Sequence, residues 1–208
     1  MKTNLPKTII GPMLCCLLLL ASCFGSATPQ GQMVLVKQVV SGQTIEVVSA
    51  STPTADPRRV RLIGIEAPDM RQQPWGIEAR RQLAQLLGDR SVLLELDVEK
   101  RDQYQRQLSY IWARSADGPK NRDSLLNEEM VKRGYALAKP RSPNTKYDQR
   151  LANAQAWARI MGVGIWNPEQ PMGITPTEFR SQNRSSVVSG QWSVVNAQSS
   201  KPQLTTNN

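Results

Sequence analysis

Arg61, Glu66 and Asp69 lie within one short stretch, RVRLIGIEAPD, and Asp102, Tyr104 and Arg106 lie within another, DQYQR. Two carboxylates three residues apart beside a proline can bind a hard cation through oxygen or hold an attacking water. An arginine fork grips two phosphate oxygens at once and keeps its charge when partly buried. A tyrosine beside it can donate to phosphate or stack on a base. Each set also has a plain structural reading. Glu66 and Asp69 are then solvated turn residues with Arg61 a surface charge, and Asp102 and Arg106 are an ion pair in a turn.

Strict two-residue alternation sends Arg61 and Glu66 to opposite faces of one strand, so cooperation between them requires a bend. Gly64 offers one, because an isolated strand glycine often marks a bulge. Pro68 then holds the turn that presents Asp69. On an extended segment Asp102, Tyr104 and Arg106 share a face.

Composition narrows the chemistry. The 208 residues contain no histidine, which removes Ser-His-Asp and Cys-His nucleophiles and histidine zinc sites. Catalysis is left to carboxylates, arginines, lysines, tyrosines or an oxygen-bound metal. The three cysteines stand at 15, 16 and 23, so nothing downstream can form a disulfide or a thiolate metal site. The formal net charge is +9, yet from Gly31 to Met172 there are 21 Lys or Arg against 16 Asp or Glu. This moderate excess suits a polyanionic partner.

The elements that must position these residues follow from the hydropathy pattern. Residues 1–22 read as a signal peptide: Lys2 and Lys7 precede the apolar run MLCCLLLLA, which is short for a membrane span. Its end, LASC, resembles the lipobox of bacterial lipoproteins. That resemblance makes Cys23 the lipid anchor and the chain an exported, membrane-attached protein; an ordinary cut after Ala27 would leave it soluble and exported. A linker, 23–32, precedes a domain over 33–171.

In that domain, strands are expected at Met33–Val40, Gln43–Ala50, Arg59–Ile65, Ser91–Val98 and Gln107–Arg114, the first two joined by a hairpin-like turn at Ser41-Gly42. Helices are expected at Trp75–Leu87, after an N-cap at Asp123 or Ser124, and from about Thr145 to Met161. Trp112, Trp157 and Trp166 read as packing residues. Residues 172–208, rich in Ser, Gln, Asn, Thr and Pro, read as a disordered tail. The order fits a five-stranded OB-fold barrel with about three helices outside it.

Six segments, SGQTIEV, VRLIGIEAPD, WGIEARRQL, DQYQRQLSYIW, LNEEMVKRGYA and GIWNP, resemble the staphylococcal nuclease (thermonuclease-like) family in order and spacing. The resemblance implies an OB-fold nuclease that hydrolyses phosphodiester bonds of DNA or RNA, expected here as a monomer acting on single strands, with calcium as cofactor. It assigns Arg61 and Arg106 to clamping the phosphate and Asp69 to orienting or deprotonating the attacking water. It assigns Glu66, the Ala67 carbonyl and Gln43 to the metal and Tyr104 to the substrate phosphate. Lys139 and Arg141 lie where some members contact bases, and can hold backbone phosphate.

The sequence departs from the family at the metal. Gln43 replaces an aspartate and offers only a neutral oxygen. Asp69 is a methylene shorter, and Glu66 a methylene longer, than the family's residues. A catalytically weakened nucleic-acid-binding module is the alternative, and a barrel used for protein contacts is a further one.

Overall fold

The computed structural model describes residues 28–88, 91–113 and 124–184. The signal segment, Cys23 and residues 185–208 lie outside them. The first β-branched run forms β1 (Gln32–Ser41), and a tight turn leads into β2 (Thr44–Ser49). They pair antiparallel with irregularities between Val36 and Gln38 and between Val39 and Ser41, which bend a long strand as a barrel requires. β3 (Arg58–Leu62) pairs antiparallel with β2.

The chain does not run through Gly64 as one bulged strand, as the sequence suggested. It turns at Ile63-Gly64, with Gly64 at φ 72, and restarts as β4 (Ile65–Glu66). Glycine adopts this left-handed backbone without the steric cost a Cβ would bring. Beyond the turn follow α1 (Trp75–Leu87), β5 (Ser91–Glu95), β6 (Gln107–Ala113) and β7 (Ser124–Leu125). Next come α2 (Leu126–Lys132), β8 (Leu137–Ala138) and α3 (Asp148–Met161). Ser124 lies in β7 and does not cap α2, whose N-cap position is Leu125; Asp123 lies outside the described residues. A final helix, α4, covers 176–184, inside the segment read from sequence as a disordered tail.

β5 pairs with both β1 and β6, and β6 runs parallel to β3 with Val60, Arg61 and Leu62 opposite Gln107, Leu108 and Ser109. That last pairing closes the strand order β3-β2-β1-β5-β6 into a five-stranded OB-fold barrel, which leaves no open edge among those five. β4 and β8 form a separate ribbon beside it.

The barrel interior and α1 share one core, including Val34, Ile45, Val47, Val60, Leu62, Leu83 and Ile111. Ile63, Leu108, Tyr110, Trp112 and Leu125 form a second, with Tyr147 packed on it. β6 supplies both: Ile111 and Ala113 face one core while Leu108, Tyr110 and Trp112 face the other. Two-sided burial explains why this strand reads as a continuous apolar run. Trp112 is buried as a packing residue, whereas Trp157 is 42% exposed under Lys132.

Two buried polar side chains fasten the frame. Asn127, fully buried, accepts from the Ile111 amide and donates to the Ile63 carbonyl, pinning α2 to β6 and to the turn before Gly64. Glu95 accepts from Trp112 Nε1 at 2.7 Å, Tyr147 OH at 2.9 Å and Lys146 Nζ. A buried carboxylate surrounded by donors in this way has its desolvation offset.

Candidate active site

Three segments meet at one end of the barrel: the β1–β2 turn, the β3–β4 turn with the loop behind it, and the turn entering β6. Gly42 makes the first contact possible, since a Cβ there would lie 2.6 Å from the Ala79 Cβ and 2.9 Å from the Ala67 Cβ. The turn can therefore press against α1 and against Ala67. Gln43 next to it accepts the Ala67 amide on Oε1 at 2.6 Å, while its own carbonyl accepts the Leu62 amide at 3.0 Å.

The β3–β4 turn supplies the bend that strict alternation lacked. It folds back over Arg61, whose guanidinium donates to the carbonyls of Ile65 at 2.8 Å, Leu62 at 3.1 Å and Gln43 at 3.4 Å. No carboxylate among the described residues forms an ion pair with it. Burial, and then the charges of Arg106, Arg180 and Arg141, push its pKa down to about 9 against a smaller opposing effect of Asp102. Arg61 keeps its proton at neutral pH as a positive charge that an anion would relieve.

Arg106 is held differently. Residues 102–106 form a turn and not the extended segment expected from sequence. Asp102 ties it together, accepting the amides of Tyr104 and Arg106 and gripping the Arg106 guanidinium at 2.7 Å. Tyr104 projects outward, 69% exposed, with Arg106 stacked 5.4 Å from its ring centre. That leaves the outer ring face open to a base. Arg141 pairs with Glu99 at 3.5 Å.

Glu66, only 7% exposed, is the centre of a second cluster. Its carboxylate accepts from Lys139 Nζ at 3.3 Å, from Thr177 Oγ1 at 2.9 and 3.0 Å, and from the Arg180 guanidinium. Lys139 is placed there because β8 pairs with β4 and the Lys139 amide donates to the Gly64 carbonyl at 2.8 Å. Thr177 and Arg180 come from α4. Their approach is anchored by Gln72, buried in the loop after Asp69, which donates to the Ile174 carbonyl at 2.8 Å.

Asp69 does not join Glu66. Its carboxylate turns to Arg71, accepting from the Arg71 amide and guanidinium at 3.0 Å. The side-chain hydrogen bond from Arg71 holds the Asp69 carboxyl below the usual aspartate range, against a smaller upward push from burial.

These positions bear on the expected calcium. Calcium takes six to eight oxygens, several of them carboxylate. Among the described residues no three Asp, Glu, His or Cys side chains converge on one point. Gln43 Oε1 is engaged by the Ala67 amide, Asp69 by Arg71, and Glu66 by two cations and a hydroxyl. Glu66, Ala67 and Gln43 therefore do not fit a calcium ion as arranged.

Sequence reasoning missed Thr177 and Arg180 because polar composition hid a short helix. The signal was present in TPTE. The Glu178 amide donates to Thr175 Oγ1, and Glu178 Oε2 accepts the Thr175 amide at 2.7 Å. This is a capping box with Pro176 at the first helical position.

A model of the family described as staphylococcal nuclease homologue matches residues 59–168. The chain is 33% identical over 146 residues to a thermonuclease of Staphylococcus intermedius, covering 68% of this chain and 80% of that protein. It is 30% identical over 148 residues to a thermonuclease of Staphylococcus hyicus, covering 69% and 80%. Against endonuclease YhcR of Bacillus subtilis it is 29% identical over 164 residues, covering 72% of this chain and 13% of that protein. The chain with this arginine-lined barrel mouth belongs to the staphylococcal nuclease homologue family.

Proposed function

We propose that the barrel mouth binds the backbone of single-stranded DNA or RNA and hydrolyses its phosphodiester bonds. The observation that carries this is Arg61: a half-buried guanidinium fixed by three carbonyls, with no carboxylate among the described residues paired to it and further arginines around it. Three carbonyls orient the charge, and a phosphate would complete it. Relatives named as nucleases support the reaction.

In hydrolysis the oxygen of a water bonds to phosphorus, the bond from phosphorus to one ester oxygen breaks, and that oxygen leaves with a proton from solvent. The water's own lost proton passes to solvent. Arg61 and Arg106 would stabilise charge on the phosphate oxygens as bonding changes. Asp69, held by Arg71, is a poor base and would orient the water by accepting a hydrogen bond. Attachment to a membrane through lipidated Cys23 after export is part of the same proposal, supported by the LASC motif.

A second reading, binding without cleavage, is favoured by the engagement of Glu66, Gln43 and Asp69 within the protein. Incubating the full chain with labelled single-stranded DNA, with and without chelator and beside Arg61→Ala and Arg106→Ala, tests both. Cleavage lost in both variants supports hydrolysis at this site. Retention of DNA without cleavage under any condition supports the binding module. Cleavage that survives both substitutions would sink the site assignment.

A further inference from the structure

The cluster around Glu66 sits where the family resemblance leads one to expect a divalent cation, and it is filled by side chains. One carboxylate faces one ammonium and one guanidinium, so the cluster carries a net charge of about +1. A divalent ion on a single carboxylate would carry the same charge. Both cations are reachable from solvent, with side-chain exposures of 54% for Lys139 and 31% for Arg180, while Glu66 beneath them is at 9%. Among the described residues only Nη2 of Arg180 is engaged, by Glu66. A guanidinium has five N–H donors, so most of its fork remains available. Arg180 is close enough to Arg61 to act on it electrostatically, as Arg106 and Arg141 are.

From this geometry we propose that Arg180, steadied by Glu66 beside Lys139, supplies the positive charge that the expected metal would have supplied, so that the cleft grips nucleic-acid phosphate without a divalent ion. This rests on the reading of the cleft as a nucleic-acid site. It adds Arg180 as a substrate-binding residue delivered by α4, a helix beyond the barrel. Glu66 then acts as a positioning residue for two cations and not as a metal ligand. The capping box at Thr175 and the Gln72 contact with Ile174 fix where the helix starts, and so where Arg180 lands.

Fluorescence anisotropy of a labelled oligothymidylate with the full chain tests it, in EDTA and then in calcium, across a salt series. The wild type binds in EDTA, and added calcium changes its affinity less than twofold. Arg180→Ala weakens binding about tenfold. It also lowers the slope of log affinity against log salt by about 0.7, the share of one phosphate contact on a single strand. Arg180→Lys keeps the slope while losing part of the affinity. Thermal unfolding separates this from misfolding, since a merely structural role would lower the melting temperature without changing the salt slope.

Binding that requires calcium would overturn the inference and leave the nucleic-acid reading standing. An Arg180→Ala variant that binds more tightly would overturn it too, because α4 would then be a plug over the cleft. Failure of the wild type to bind in low salt, with or without calcium, would overturn both the inference and the reading it rests on.

Discussion

Glu66 and Glu95 are both nearly buried carboxylates, both paired with a lysine, yet their surroundings differ in kind. Glu95 accepts from Trp112 and Tyr147, aromatic donors built into the second core, as well as from Lys146. Glu66 accepts from Lys139 just after β8 and from Thr177 and Arg180 on α4, all outside the barrel. If Glu95 is lost, the indole and phenol donors stay among packed rings, at 4.6 Å between Tyr110 and Tyr147 and 5.6 Å between Trp112 and Tyr147. If Glu66 is lost, its two cations can turn toward water. A carboxylate satisfied from within is architecture; one satisfied by cations at an open mouth can exchange partners with a ligand.

The largest effect expected from this contrast is on stability. Glu95→Ala should cost about 3 kcal/mol, since it orphans donors at about 1–3 kcal/mol each. Glu95→Gln should recover part of that through its amide oxygen. Glu66→Ala should cost no more than about 1 kcal/mol because its partners re-solvate, as surface pairs do. Urea unfolding of the three variants measures the difference. Equal losses at the two positions would remove the distinction.

The two arginines of the cleft differ in the same way, and pH separates them. Burial by itself raises the Asp102 carboxyl, but hydrogen bonds and charge from Arg106 outweigh it and leave the group below the ordinary aspartate range. A carboxylate whose folded pKa is depressed adds stability above its unfolded value of about 3.9. That stability is lost as pH falls through the folded value. The chain should therefore lose stability on acidification below about pH 4. Asp102→Asn should start less stable at neutral pH by about 2 kcal/mol and show a flatter acid limb. Arg61 has no such partner among the described residues, so Arg61→Met should leave the acid limb unchanged and abolish oligonucleotide binding. Urea midpoints between pH 2 and 7 for both variants give the answer.

A smaller effect is expected at α4. Thr175→Ala removes the side-chain half of the capping box and should weaken the helix by about 1 kcal/mol, read as faster hydrogen exchange over 176–184 with the barrel unaffected. The helix also marks where the sequence was hard to read. The five barrel strands and α1 were legible because each apolar pattern runs long enough to bury a face, as Trp75 to Leu87 does with Ala79, Leu83 and Leu87. α4 has one bulky apolar residue, Phe179, and depends on a cap and on one ion pair and one hydroxyl contact with distant Glu66. Patterning reports burial, and such contacts leave no trace in it. For the same reason the arginines were legible by type and spacing while their partners were not. Nothing in RVRLIGIEAPD says that Arg61 turns to backbone carbonyls, or that Asp69 turns to Arg71. The turn at 102–106 was hidden likewise, because it is made by one side chain, Asp102, gathering two amides and a guanidinium.

That turn holds the smallest effect expected. Gln105 has φ 60, the left-handed region, the only such non-glycine residue among those described. A side chain there costs about 1 kcal/mol, and glycine would relieve it. Glycine would also loosen the unfolded chain, which returns up to about 1 kcal/mol of the gain. The net stability change for Gln105→Gly should therefore be within about 0.5 kcal/mol of zero, smaller than the effect at any other position considered. Its effect on binding should be larger in proportion. Gln105 stands between Tyr104 and Arg106, and its carbonyl accepts from Arg101 Nη1 at 3.0 Å, so its backbone sets the angle of both neighbours. A more mobile residue there would spread the Tyr104 ring and the Arg106 guanidinium over more orientations without removing any charge. Oligonucleotide affinity should fall severalfold at an unchanged salt slope, the opposite signature to Arg180→Ala. Anisotropy measured beside urea unfolding would show whether the strain at Gln105 serves the cleft or the fold.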